Sequence, residues 1–411
     1  MAKVLFTWEL GMGLGHIVPI KSLAKHFVAE GHDVYIALKD LKHGHAFFSD
    51  MPITILQAPI NQSINNNAPI ACYSQLLAAN GFDSISELTS HCLAWQSLYK
   101  LINPDIILFD HSPTALMASR GLAAITVYIG TGFTIPPDQV PFAPFQPERL
   151  TEASKHELIE HEKATLKTIN QVLRTLNKPK LQRLGQLYGD VTHSIFKSLP
   201  EFDHFGPRPK GNYVGVTHLE TGMKQPMWPN VSGKKVFIYL KPFEYIECIL
   251  DALVDTQTSV IIYSNDINSK RFEPYLNKNI CFEDDTLDMN MVAKQTDIAI
   301  TNGNHGTLMQ FILNRVPVMM IPLHWEQQLL ALRMQAQGIG VLSRKDQPDH
   351  IIQKLKSILL VNGCSAAVEQ LATKYEDFDG PEMQKQFCLQ LMQEANEKRQ
   401  KIKGKKSVPR G

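Results

Sequence analysis

The chain has 411 residues, 44% of them hydrophobic, which is ample for burial but too long for one typical core, so two domains of roughly 200 residues each are expected. Its 41 lysines and arginines against 40 acids leave a net charge of +1, which excludes a nucleic-acid footprint over the chain as a whole. Six cysteines, at 72, 92, 248, 281, 364 and 388, form no Cys-x-x-Cys pair, which excludes a zinc ribbon and a dithiol redox site and suits reduced thiols in a cytoplasm.

Residues 4–8 read as a buried strand, far shorter than the apolar region of a signal peptide, so no leader is expected. Gly11-Met-Gly-Leu-Gly15-His16 is a glycine loop feeding a helix with Ile20, Leu23, Ala24, Phe27 and Val28 on one face. Gly31 closes that helix and residues 33–38 form the next strand. The result is a βαβ unit with its loop at the C-terminal end of the first strand, where open parallel sheets bind ligands. Residues 104–110 are a further strand ending in a carboxylate, Asp110, and residues 124–129 follow it. From 151 to 177, the spacing of Leu158, Leu166, Ile169, Leu173 and Leu176 predicts a long amphipathic helix stopped before Pro179. Residues 198–229 are rich in proline and glycine and hold the linker.

A second alternating set starts at 235–240 and continues through 259–263, 297–301 and 318–321. The fold class is therefore α/β, with two Rossmann-like domains and mostly parallel sheets. The expected division is 1–215, a linker at 216–233, a second domain at 234–375, a helix at 376–397 that packs back on the first domain, and a basic flexible tail at 398–411. That tail carries Lys398, Arg399, Lys401, Lys403, Lys405, Lys406 and Arg410 without one acid. It is a solvated end or a peripheral contact with anionic lipid at the inner face of a membrane. No window reaches the eighteen or so apolar residues of a membrane span, so a cytoplasmic protein is expected.

The chemistry-bearing residues fall in two loops. Asn302-Gly-Asn-His-Gly-Thr307 joins an apolar strand to a helix with Leu308, Phe311 and Ile312 on its buried face. Backbone N–H groups at a helix N-terminus attract anions, and Gly303 and Gly306 let the chain approach a diphosphate closely. Asn304 and His305 complete this phosphate seat. Gln310 one turn on, and Glu326-Gln327 after the next strand, frame it with polar side chains able to read sugar hydroxyls. In the N-terminal loop, His16 stands where a Gly-x-Gly-x-x-Gly fingerprint needs its third glycine, which weighs against nicotinamide binding. His156-Glu157 with His161 misses zinc-protease spacing, and Asp377-Phe-Asp379 reads as surface carboxylates.

Together these series resemble family 1 glycosyltransferases of the GT-B fold, which have two facing Rossmann-like domains. The donor signature of that family is matched at Thr301, Gly303, Gly306, Thr307, Val316, Pro317, Pro322 and Gln327. It departs at Asn302 (usually a phosphate-binding histidine), Gln310 (a ribose-binding glutamate) and Glu326 (an aspartate). Lys241-Pro242 replaces the hydroxyl residue that usually meets the diphosphate, and Lys241 offers a charge instead. His324 stands where plant members have tryptophan, so plant-like glucose selectivity is not implied.

Gly-x-Gly-x-Gly-His-x-x-Pro is similar to the N-terminal motif of the same family, with Gly13 and Gly15 on the acceptor side. The resemblance implies that His16 is the base for the acceptor hydroxyl and Asp110 its orienting carboxylate. A helix start presents the positive end of its dipole, which suits a neutral histidine base. The implied reaction is a single inverting displacement with no metal and no resident cofactor, from a nucleotide-diphosphate sugar, a UDP-sugar first and a dTDP-sugar second. The loop of Phe133, Phe142 and Phe145 suggests a small apolar acceptor, a lipid or polyketide; packing against the long helix is its other use. Two rivals share the fold: a nucleotide-sugar 2-epimerase, and a non-catalytic nucleotide-sugar-binding partner or sensor, which Asn302, Gln310 and Lys241 would permit.

Overall fold

The computed structural model describes residues 1–411 except 12, 43, 62–69, 147–148, 217–223, 255, 265–268, 277–278 and 407–411. It divides into two compact units: Met1–Thr217 with Gly380–Gly411, and His218–Asp379.

Unit 1 is built on seven strands: β1 (Lys3–Trp8), β2 (Asp33–Leu38), β3 (Ile53–Gln57), β4 (Ile106–Asp110), β5 (Ile125–Gly130), β6 (His193–Phe196) and β7 (Asn212–Tyr213). They pair in the order β3-β2-β1-β4-β5-β6-β7, all parallel. The central strands are near-continuous apolar runs because helices cover both faces of a parallel sheet. One cover is the helix Leu14–Ala29, whose Ile20, Leu23, Ala24 and Phe27 are buried. The long helix Glu152–Thr175 starts at a Thr151–Ser154 capping box and buries Leu158, Glu162, Thr165, Ile169, Val172 and Leu173. The buried stripe therefore includes a carboxylate: Glu162 accepts from the Phe142 backbone N–H at 2.9 Å.

The helix Gly380–Lys406 belongs to unit 1 and adds Phe387, Cys388, Leu391, Met392 and Ala395 to its core. Glu394 pairs with His193 at 2.8 Å and Arg399 with Asp105 at 2.7 Å. Residues 398–406, expected as flexible tail, thus continue this helix. Lysine, arginine and glutamine are good helix formers, and the Arg399 ion pair holds the last turns to the sheet. Residues 407–411 of the expected tail lie outside the described residues. No described helix is long and apolar enough to cross a membrane.

Unit 2 has six strands: β8 (Lys235–Tyr239), β9 (Ser259–Tyr263), β10 (Ile280–Glu283), β11 (Ile298–Thr301), β12 (Val318–Met320) and β13 (Val341–Leu342), in the parallel order β10-β9-β8-β11-β12-β13. Residues 224–233, expected as linker, are tied to it: the Lys224 N–H donates to Thr286 O at 3.0 Å and Trp228 Nε1 to Gln295 Oε1 at 2.8 Å. In each sheet the strand order reverses at one place, β1 beside β4 and β8 beside β11. Loops leaving neighbouring strands at such a point diverge and open a crevice.

Leu391 is fully buried between its helix and the sheet of unit 1. Leu391→Ala should destabilise unit 1 by about 2–5 kcal/mol, measured by urea unfolding.

Candidate functional site

In unit 1 the reversal point brings together residues from three loops. β1 and β4 are in register with Trp8 opposite Asp110, so the glycine loop after β1 emerges beside the Asp110 carboxylate. The helix begins at Leu14, which places His16 in its first turn rather than just before it. His16 Nδ1 lies 3.0 Å from Asp110 Oδ1, and Lys197, directly after β6, donates to Asp110 Oδ2 at 2.9 Å. Asp110 is 1% exposed. Burial alone would raise its carboxyl, but the Lys197 ammonium and the His16 imidazole more than offset that and hold it down at about 2. An ionised carboxylate only accepts, so His16 carries its proton on Nδ1 and turns Nε2 out as the basic nitrogen.

The His16 ring is fixed on further sides. It stacks on Trp8 at 5.2 Å between centroids, with the planes 20° apart. Gly11 crosses its edge so closely that a Cβ there would sit 2.3 Å from His16 Nε2, and Gly11 also holds φ at +82°, both of which require glycine. Gly13, at φ +84°, and Gly15 have open space where a Cβ would point. Beside the pair, His111 adopts φ 45°, an uncommon value for a residue with a side chain, and its carbonyl accepts from Leu10 N at 3.0 Å. Burial, then the neighbouring His16, push the His111 imidazole down to about 3, and its Nε2 meets Tyr73 Oη at 3.3 Å. Glu9 is buried with its two oxygens on the N–H groups of Thr114 (3.0 Å) and Ala115 (2.6 Å); burial raises its carboxyl to about 7.

In unit 2 the corresponding reversal point holds the glycine-rich loop. Asn302, after β11, is fully buried: its Oδ1 accepts from Lys241 N at 2.7 Å and its Nδ2 donates to Ile321 O at 2.9 Å. Its side chain straps together the loops after β8, β11 and β12. Gln327 does similar work, accepting from Leu323 N at 2.8 Å and donating to Asn304 Oδ1 at 2.6 Å. Gly303 has φ +84°. The helix His305–Leu313 then starts with Asn304 at its N-cap and no side-chain cap. A Cβ at Gly306 would meet nothing within 4 Å, so protein packing does not demand glycine there. Thr307 and Glu326 are half-buried, His305 is buried and Lys241 is exposed. Gln310 is buried and donates to Asn290 Oδ1 at 2.6 Å.

No protein-family model matches the sequence, and no curated protein does. Among solved structures, the chain is similar to the glycotransferase of kitacinnamycin, at 14% identity and TM-score 0.70, over 95% of this chain and 98% of that one. It is similar to CalG4, the calicheamicin glycosyltransferase, at 15% identity and TM-score 0.69, over 95% and 98%. A third is the glycosyltransferase VinC, solved in complex with dTDP, at 16% identity and TM-score 0.63, over 96% and 100%. The chain has the GT-B fold.

Within that GT-B framework, five expected positions differ in use from the sequence reading. Phe133, Phe142 and Phe145 do not line an open face. All three are buried, and Phe133 and Phe142 pack their rings on Tyr73 at 5.8 and 5.6 Å, with Phe142 also against Tyr188 at 5.9 Å. The exposed part of that segment is 138–140. Asn302 spends both its amide oxygen and nitrogen on protein partners, and Gln310 spends its amide nitrogen on Asn290. Lys197, Trp8 and His111 are site residues that sequence reasoning passed over. The available signal for Lys197 was its place directly after an apolar strand, at the end of the sheet where ligands bind.

Breaking a buried pair leaves an uncompensated charge. Lys197→Met should destabilise unit 1 by about 3–5 kcal/mol near neutral pH in urea unfolding. Asp110 has a depressed carboxyl, so its pairing contributes fully above 3.8 and is lost as pH falls toward about 2. The gap between variant and wild type should narrow over that window.

Proposed function

We propose that the protein is an inverting glycosyltransferase that moves a sugar from a nucleotide-diphosphate donor to an acceptor hydroxyl without a metal. The observation that carries this is the His16–Asp110 contact of 3.0 Å at the reversal point of unit 1. Asp110 fixes the tautomer and ring orientation, and would stabilise the imidazolium that forms as Nε2 takes the hydroxyl proton. The deprotonated oxygen attacks the anomeric carbon, the bond to the diphosphate breaks, and the nucleotide diphosphate leaves with the electron pair. Its charge suits the N-terminus of the helix His305–Leu313, which has no side-chain cap.

On this reading unit 1 is the acceptor side and unit 2 the donor side. VinC's complex with dTDP supports a pyrimidine nucleotide, so UDP- and dTDP-sugars are the proposed donors. A 2-epimerase has no need of a base for an acceptor hydroxyl, and an oriented His16–Asp110 pair speaks for transfer. The second reading, a non-catalytic nucleotide-sugar binder, draws on Asn302, whose amide oxygen and nitrogen both bond within the protein, and on Gln310, whose amide nitrogen is held by Asn290.

Calorimetry with UDP, dTDP and GDP tests the donor side. One pyrimidine nucleotide should bind, and Thr307→Arg, which fills the seat in front of the helix, should weaken it at least tenfold. In a transfer assay over a panel of hydroxyl acceptors, His16→Ala should lower turnover by about 10²–10⁴-fold. Nucleotide binding without transfer by the wild-type protein would favour the non-catalytic reading, and no nucleotide binding would remove both.

A further inference from the structure

Lys39, directly after β2, has no place in the proton-transfer chemistry above. Its Nζ donates to the Gly11 carbonyl at 2.9 Å, and among the described residues that is the ammonium's one hydrogen bond. No described carboxylate stands within ion-pair distance of it. Exposed Asp40, next in the chain, is the one acid whose field reaches it. Lys39 is half-buried, and that burial pushes its ammonium down. A partly desolvated cation without a counterion is costly to hold, and an anion beside it recovers that cost.

Two features tie this cation to the site. Gly11, whose carbonyl it holds, is the residue that crosses the His16 Nε2 edge, so a single residue separates the ammonium from the basic nitrogen. Lys39 also lines a cavity of about 20 Å³ with Glu9, Leu10, Asn61, Asn80 and Thr114, room for a water molecule or one small polar group. Asn80 spends one Nδ2 hydrogen on Leu76 O and keeps a second. The nearby carboxylates are engaged elsewhere or partly neutralised. Asp110 is shared between His16 and Lys197, and Glu9 has both oxygens on backbone N–H groups with its carboxyl raised to about 7. The field of Lys39 extends as far as His111.

We propose that Lys39 binds a carboxylate of the acceptor, so that the acceptor is a hydroxy acid whose hydroxyl faces His16 while one carboxylate oxygen meets the Lys39 ammonium. This rests on unit 1 being the acceptor side. It replaces the apolar acceptor suggested by Phe133, Phe142 and Phe145, which are buried. A single lysine suits a monoanion.

The test is binding of 4-hydroxybenzoate and 4-hydroxycinnamate, each against its primary amide, to the intact protein by ligand-observed NMR at low ionic strength. Lys39→Gln removes the charge and keeps an N–H donor for the Gly11 carbonyl; Lys39→Arg keeps the charge. Wild type and Lys39→Arg should bind the acids about tenfold or more tightly than the amides, and Lys39→Gln should lose that preference. Equal binding of acids and amides, no binding of either, or a preference that survives in Lys39→Gln would overturn the proposal. Sugar transfer measured on the same compounds separates it from the glycosyltransferase reading. Acid-selective binding without transfer sustains the Lys39 site and counts against that reading; transfer without acid selectivity does the reverse.

Discussion

Asp110 is an ionised carboxylate with 1% of its surface exposed, and a charge so placed must be paired and hydrogen-bonded or the fold pays several kilocalories per mole. Its partners come from far along the chain: His16 from the loop after β1, Lys197 from the end of β6. Satisfying that one group therefore aligns three loops at the C-terminal edge of the sheet. The sheet makes it feasible, because β1 and β4 are neighbours with Trp8 opposite Asp110. The Leu10–His111 backbone bond then closes the two loops on each other, and Trp8 gives the His16 ring a flat support.

Unit 2 repeats the topology with a different residue at the equivalent point. Asp110 ends β4, and Asn302 follows β11 at the matching reversal beside β8. A neutral amide there needs no counter-charge and instead ties backbone to backbone, from Lys241 N to Ile321 O. On the proposed reading, the charge-handling work in unit 2 falls to the helix His305–Leu313, whose N-terminus, without a side-chain cap, offers backbone N–H groups. On that proposed reading, the same fold supplies a side-chain base in one unit and a backbone anion seat in the other. This division explains how the loop can keep its form although Asn302 and Gln310 depart from the resembling family's pattern: backbone amides do not depend on residue type.

The fold was legible where apolar runs are bounded by turn residues. β2 at 33–38 and β9 at 259–263 coincide with their sequence assignments to the residue, and the glycine loop and the donor-side loop both lie where a parallel sheet opens. What stayed hidden was short or half-exposed. β3 alternates partly buried and exposed residues, β6 has four residues and β13 two, too little pattern for a strand assignment. Lys197 was lost with β6, since its role depends on a partner 87 positions away. The aromatic loop left two uses open, and its rings turn inward. Composition does not tell which way a ring faces, and Tyr73 and Tyr188 draw Phe142 inward. Asn302 shows the same limit: a polar residue in a ligand-binding pattern can equally be a strap.

The central claim is that an oriented His16 base drives a single displacement at the anomeric carbon. The most direct measurement is the anomeric configuration of the product formed from an α-configured nucleotide sugar, read from the H1–H2 coupling in proton NMR. A β-linked product is predicted, from one inversion with no covalent intermediate. An α-linked product would require either a second displacement or attack from the leaving-group face, and would contradict the assignment of His16 as the base of an inverting transfer.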